Sequence, residues 1–483
     1  MIEENYYFDP AKNEFENARI SHWDKVASNI KKWHKAGKYY HQRLIEIYNN
    51  MVYPGSKILE IGCGNGDLLD SIDSDKKIGI DFSPAMVNLA QIKHPKLTII
   101  NAHADNFLLN EDFDYIILSD LLNDVWDVQA IFNNIKKYTK PNTRIIINTY
   151  NRVWEVPLGL IRKLGLSKPN LEQNWLTVPD ISNLLELSGF EVVRTTQEIL
   201  FPANIPILSK FLNRFVVRLW PFNHFALTNI IIARLKPNIF EIKSQFKVSV
   251  IVPARNEEGN IEEIIRRTPD MGTSTEIVFV EGHSTDNTLE AINQSITKYP
   301  NKNISVFTQL GKGKGDAVRL GFSKASGDVL MILDADLTVP PEDLPKFYDA
   351  LNNGTGEFIN GVRLIYPMED EAMRFFNLLG NKFFSYAFSW LLGQPIKDTL
   401  CGTKVLWKKD YERIAVNRLV FGDFDPFGDF DLIFGAARLN YKIVDLPIHY
   451  RARKYGSTNI QRWRHGFLLL KMVAFAARKL KFI

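Results

Sequence analysis

Apolar runs of strand length, each followed by a helical stretch, occur in two separate series along this chain, and that alternation leaves few folds open. In the first series the runs are KILEI, KKIGID, LTIINA, FDYIILSD and TRIIINTY. In the second they are KVSVIVPA, EIVFVEG, ISVFTQL and DVLMILDAD. Such alternation implies parallel sheets covered by helices on their faces. A polar stretch, KPNIFEIKSQFK, separates the two series. We therefore expect two α/β domains, in keeping with 483 residues, too many for one ordinary core. The boundaries read as 1–236 for the first domain, 237–246 for a linker, 247–461 for the second domain and 462–483 for a terminal helix.

Composition narrows the class further. A chain that is 45% hydrophobic and 24% charged is ordinary globular material. Two cysteines, Cys63 and Cys401, one in each half, exclude a disulfide scaffold and suit a reducing compartment. The first twenty residues are polar and acidic, so no secretory signal is expected there. No run of 18 apolar residues suggests a membrane-spanning helix. The net charge of +4 is local: residues 451–483 hold nine Lys/Arg and no Asp or Glu. That asymmetry argues for an anionic partner at one place and against a general nucleic-acid surface.

In KILEIGCGNGDLL, Gly62, Gly64 and Gly66 come directly after a strand and before a helix, where glycine lets the backbone approach a ligand. The spacing is G-x-G-x-G, not the G-x-G-x-x-G of dinucleotide folds, and Glu60 precedes it. Asp81 ends the second strand, where a carboxylate can accept hydrogen bonds from ribose hydroxyls. Asp105 follows the third strand, in position for an adenine amino group. Ser119 and Asp120 end the fourth. Together these residues resemble the class I S-adenosylmethionine-dependent methyltransferases, over roughly residues 20–235. The resemblance implies a Rossmann-like fold with S-adenosylmethionine as cofactor. Asp120, Asn123, Asp124 and Trp126 are available to a methyl acceptor, whose identity stays open. His103 can act as a base, although a lone histidine is more often structural.

The stretch GDVLMILDADLTVPPEDL stops a strand at Asp334 and Asp336, and Pro340-Pro341 prevents its continuation. Glu281 and Asp286 follow another strand end of the same series. Acids gathered at strand ends converge on one crevice. Two carboxylates one residue apart suit a hard divalent cation, Mg²⁺ or Mn²⁺, that keeps coordination positions for a diphosphate. VPARNEE, TDNT, the GKGKGDAVRLGFSKASGDVLMILDADL block, KDTLCGTKVL and HYRARKYGSTNI resemble family 2 glycosyltransferases of the GT-A fold. The resemblance spans about 247–483 and is nearest to the dolichyl- or polyprenyl-phosphate hexosyltransferases. It implies a nucleotide-diphospho-sugar donor, with Pro253, Arg255, Glu257 and Glu281 near base and ribose, and Lys314 and Asp316 near the nucleotide. It also implies Arg363 and Arg374 as phosphate-binding arginines, with Arg453, Lys454 and Ser457 on the same side. The chain departs from the family in having Glu281-Gly282-His283-Ser284 for Asp-Asp-Gly-Ser, and Thr338 where mannosyltransferases of that branch carry Gln.

A lipid phosphate is already an anionic nucleophile and needs cations, not a base. A glycan hydroxyl, as in cell-surface polysaccharide synthesis, would need a base, for which Asp429 or Asp431 is available. In that reading the first domain becomes a non-catalytic module that binds S-adenosylmethionine or serves as a scaffold. Asp398 reads as a brace for its loop. In the terminal helix Arg464, Lys471 and Arg478 recur every seven residues, beside Phe467, Leu470, Met472, Val473, Phe475 and Leu480. This resembles an interfacial helix whose cations are worth about 1 kcal/mol each near an anionic membrane. The sequence thus reads as a bifunctional enzyme, cytoplasmic and peripheral at the inner face of the membrane.

Overall fold

The computed structural model describes residues 9–30, 37–165, 170–237, 245–363, 365, 375–418, 428, 430–451, 453, 455 and 462–482. The chain divides into two compact units, Met1–Lys236 and Pro237–Lys481. Each is built on a seven-stranded sheet.

In the first unit the strands are β1 (Ser56–Ile61), β2 (Ser74–Asp81), β3 (Thr98–Asn101), β4 (Phe113–Ser119), β5 (Thr139–Tyr150), β6 (Phe190–Glu198) and β7 (Thr228–Leu235). Their order is β3-β2-β1-β4-β5-β7-β6. All neighbours are parallel except β7, which runs antiparallel to β5 and β6. Ile145, Ile146 and Ile147 of β5 are wholly buried, as expected where helices cover both faces. One face packs Ile58, Ile117 and Ile146 against Leu44 and Tyr48 of the helix Lys38–Met51. The other packs Leu59, Ile116 and Leu118 against Phe132, Ile181 and Leu185. Strand β7 is an addition to the sequence reading. Its TNIIIARL lies in an apolar region broken by Pro202, Pro206 and Pro221, which hid the strand.

The second unit has β8 (Lys247–Ala254), β9 (Ser274–Glu281), β10 (Asn303–Thr308), β11 (Val329–Ile332), β12 (Phe358–Val362), β13 (Lys404–Trp407) and β14 (Ile443–Pro447). Their order is β10-β9-β8-β11-β13-β12-β14, with β13 antiparallel to both neighbours. Val248, Val250 and Val252 of β8 pack against Ile261, Ile264 and Phe347. In each sheet the strand order reverses once, between β1 and β4 and between β8 and β11. Such reversals open a crevice beyond the strands' C-terminal ends.

The C-terminal segment forms a helix, Arg462–Ala476, followed by a wider π turn, Ala477–Lys481. The seven-residue register therefore ends at Ala476, because a π turn takes more residues per revolution. Lys471 and Arg478 are exposed and Met472 is buried. The side chain of Arg464 lies outside the described residues. No helix among the described residues is long and apolar enough to cross a membrane.

Candidate active sites

In the first unit the loop after β1 turns sharply. Gly62, Gly64 and Gly66 all hold positive φ, at 75°, 51° and 77°. A Cβ at Gly62 would press 2.8 Å from Leu121 Cδ1, so only glycine fits there without a shift. A cavity of about 820 Å³ opens beyond this loop. Glu60, Gly62, Gly64, Asp81, Asp105 and Ser119 line it; Gly66 does not, and instead precedes the short helix Asp67–Ser71.

Asp81 accepts the Gly64 N–H on one oxygen (2.8 Å) and the Ser83 N–H on the other (2.9 Å). The carboxylate is thereby locked at the cavity wall, with lone pairs left for hydroxyl donors. Burial raises its pKa, and the two backbone donors offset part of that rise. Burial likewise holds the Glu60 carboxyl well above the usual range, and Asp81 adds to the effect. Asp105 meets Lys12 Nζ at 2.5 Å and, with Glu16 and His103, forms a cluster on the cavity wall. Asp120, in the left-handed region at φ 53°, accepts from Tyr40 Oη (3.0 Å) and Asn148 Nδ2 (2.6 Å). Such strain at a strand end is typical of functional positions.

Asp124 serves a different end. Arg19 Nε (3.0 Å) and Trp23 Nε1 (2.6 Å) both bind it, fixing the N-terminal helix Pro10–Ser28 against the cavity. Lys12, Glu16, Arg19 and Trp23 were absent from the sequence reading. No motif or strand end marks them in the sequence.

In the second unit three loops leave the ends of β8, β9 and β11, and each carries one non-glycine residue with positive φ. These are Asn256 (56°), His283 (57°) and Leu337 (55°). The first two loops are tied together, since Asn256 Oδ1 accepts from Thr285 N (2.8 Å), and within the β9 loop Glu281 Oε1 accepts from Ser284 N (2.6 Å). Asp286 accepts Thr288 N (3.1 Å) at the start of the helix Thr288–Lys298, and Asp316 accepts Gly311 N (2.9 Å). Pro253 lies in β8, and Arg255 is exposed just beyond it.

The acidic pair sits among cations. Lys314 Nζ lies 2.6 Å from Asp334 Oδ1. Arg453 Nη2 lies 2.7 Å from Asp336 Oδ2, and its Nη1 is 3.4 Å from Glu257. Thr338 binds the other Asp336 oxygen through N (3.1 Å) and Oγ1 (2.7 Å). Burial raises the Asp334 pKa, but Lys314, then Lys404 and Arg363, bring it below the usual carboxylate range. A Cβ on Gly402 would collide with both the Asp334 carboxylate and Lys314, so the chain approaches the acids here only as glycine. The paired carboxylate oxygens are a donor set that fits a hard divalent cation.

Two residues are engaged differently from the sequence reading. Arg363 forms a two-point pair with Asp398, Nε–Oδ2 at 2.7 Å and Nη2–Oδ1 at 2.9 Å, in a nearly buried setting. Asp398 thus holds an arginine as well as its own loop, through Leu400 N (3.0 Å). Asp431, considered as a base, is buried and paired to Arg418 at 3.0 Å. A carboxylate engaged by a guanidinium is a weaker base than a free one. Arg374, Asp429, Lys454 and Ser457 lie outside the described residues.

Comparison with known proteins assigns both units. Residues 33–195 match the family model of a methyltransferase domain, and residues 249–413 match that of glycosyl transferase family 2. A dolichol-phosphate mannosyltransferase of Pyrococcus furiosus is 33% identical over 247 residues, 49% of this chain and 67% of that protein. The chain belongs to glycosyl transferase family 2. Among solved structures, this glycosyltransferase is similar to the mannosyltransferase PcManGT of Pyrobaculum calidifontis, crystallised with GDP-Man and Mn²⁺. That similarity is 21% identity over 50% of this chain and 66% of the other, with a TM-score of 0.37. It is also similar to a SAM-dependent methyltransferase of Thermotoga maritima, at 14% identity over 45% of this chain and 98% of the other, with a TM-score of 0.35. This family 2 glycosyltransferase is therefore an enzyme that also carries a methyltransferase domain.

Proposed function

We propose that the second unit transfers a hexosyl group from a nucleotide-diphospho-sugar to a polyprenyl phosphate, with inversion at the anomeric carbon. The observation that carries this reading is the acidic pair, Asp334 and Asp336, set at the sheet's reversal point between Lys314 and Arg453. The two carboxylates would hold Mg²⁺ or Mn²⁺, which when bound neutralises charge on the leaving diphosphate. Lys314 and Arg453 would place fixed positive charge beside the same oxygens. Glu257, Glu281 and Asp286, on loops bonded to one another, would border base and ribose. An acceptor phosphate needs no proton removed, so the engagement of Asp431 by Arg418 is no obstacle. The cations near the pair supply what that acceptor needs.

The similarity to the dolichol-phosphate mannosyltransferase of Pyrococcus supports a lipid-phosphate acceptor. So does the surface of the helices Phe375–Leu392 and Arg462–Ala476. Phe383, Tyr386, Phe467 and Leu470 are exposed there, with Lys471 Nζ 4.9 Å from the Phe467 ring centre. Aromatic rings and cations together suit a peripheral position at the inner membrane face. Enzyme, nucleotide sugar and divalent metal, incubated with a short polyprenyl phosphate or with the free alcohol, should yield product by mass only from the phosphate. Product from the alcohol alone would replace this reading with a hydroxyl acceptor.

The first unit, in the same proposal, transfers a methyl group from S-adenosylmethionine bound in the 820 Å³ cavity. Asp81, held by two backbone N–H groups, would accept from the ribose hydroxyls. Asp81→Ala should weaken cofactor binding by roughly 1–3 kcal/mol, the range for hydrogen bonds to a charged group. Calorimetry on the full chain reads this directly, and absence of binding by the unaltered chain would remove the methyl-transfer reading.

A further inference from the structure

The methyltransferase unit exposes an apolar surface that neither its core nor its cavity chemistry explains. The helix Glu155–Lys163 buries none of its residues and exposes Val156 (70%) and Leu160 (57%), with Leu164 (72%) just beyond. The helix Leu208–Arg214 exposes Phe211 (53%). The segment after it exposes Leu219, Trp220 (79%) and Phe222. The two stretches belong to one surface. Trp154 Nε1 donates to the Phe225 carbonyl (2.9 Å), and Asn151 Nδ2 to that of His224 (3.0 Å). Soluble surfaces rarely gather so many large apolar side chains, and gathered patches mark interaction sites.

Charge identifies the occupant. Residues 199–225 contain Lys210, Arg214 and Arg218 and no acid, and of these Arg218 is covered and paired with the buried Glu198. Across 152–165, Arg152, Arg162 and Lys163 face a single acid, Glu155. Lys163, Lys210 and Arg152 are exposed. Exposed Trp, Phe and Leu fringed by cations match the boundary of an anionic bilayer, where rings sit at headgroup depth and cations meet phosphates. The same two stretches reach the cavity: Leu158, Ile161, Pro202 and Ala203 line it, and Ala203 is also exposed. The two stretches that carry the patch thus also form part of the cavity wall.

We propose that this face of the methyltransferase unit rests on an anionic phospholipid bilayer, and that the methyl acceptor is an amphiphile entering the cavity from it. The acceptor clause rests on the methyl-transfer reading; the docking does not. Both cysteines of the chain are buried, so single exposed labels can be introduced. Leu164→Cys and Trp220→Cys, each carrying a polarity-sensitive fluorophore in the full chain, would be mixed with vesicles of phosphatidylglycerol in phosphatidylcholine. Asp75→Cys, at the start of β2 and so at the other end of the sheet, is the control. Thermal unfolding equal to that of the unaltered chain would be required of each. The expected result is a blue shift at positions 164 and 220, none at 75, and little at any position with phosphatidylcholine alone. Lys210→Glu should weaken vesicle binding about fivefold or more, the scale of one cation near an anionic surface. Vesicle binding without a shift at 164 and 220 would overturn the proposal, since attachment would then belong elsewhere. A shift that grows with protein concentration and needs no vesicles would overturn it in favour of a second copy of the chain.

Discussion

Asp336→Asn should lower kcat for sugar transfer by more than ~100-fold, the scale on which removal of one charge-stabilising group acts. The side chain keeps its size. Its Oδ1 can still accept from Thr338 N and Oγ1, so the turn after β11 should hold. What is lost is one negative charge facing Arg453 and any bound cation. The defect should therefore appear in kcat and in the metal concentration needed for half activity, with thermal unfolding nearly unchanged. Chelation by EDTA should abolish activity in the unaltered enzyme and restored Mg²⁺ or Mn²⁺ should return it. Full turnover in EDTA, or in the Asn variant, would mean the acidic pair serves another purpose.

Arg363→Ala should cost about 3–5 kcal/mol of stability in the second unit, because it leaves the Asp398 carboxylate buried without its partner. Burial alone would raise the Asp398 pKa, yet the guanidinium depresses it below the ordinary carboxylate range. A depressed carboxylate stabilises the fold above the unfolded-state pKa, and the contribution fades as pH falls through the folded value. The penalty should accordingly be largest near neutral pH and shrink in acid. Denaturant unfolding at two pH values measures both. A double variant, Arg363→Met with Asp398→Leu, removes both charges together and should recover most of the stability. If transfer to the lipid stays lost in that double variant, the arginine also serves the substrate. If activity returns with stability, its role is confined to the fold.

How far the sequence could be read differs by kind of feature. Strand ends and the groups they carry were legible because parallel strands buried on both faces are written as short apolar runs. Whatever polar residue ends such a run must lie at the sheet's edge. Glu60, Asp81, Asp334 and Asp336 were found that way. Pairings between distant segments were not legible: nothing near Arg363 in the sequence announces Asp398, 35 residues on, as its partner. The same holds for Arg19 and Trp23, which reach Asp124 across about a hundred residues. The terminal helix holds a third kind of feature. Seven-residue spacing assumes one helical pitch throughout, and the π turn at Ala477–Lys481 changes the pitch without a mark in the sequence.

The contacts around Asp336 also set a thermodynamic constraint. One oxygen is taken by Thr338 and the other by Arg453, which also approaches Glu257. A divalent cation arriving at this carboxylate would compete with the guanidinium for the same electron density. Binding free energies are reciprocal. Whatever draws Arg453 away, such as the phosphate of an incoming substrate, must then tighten the cation by the same factor by which the cation favours the departure. Donor, acceptor and metal would load cooperatively even if none of them touched another, because all three would answer to the position of a single arginine.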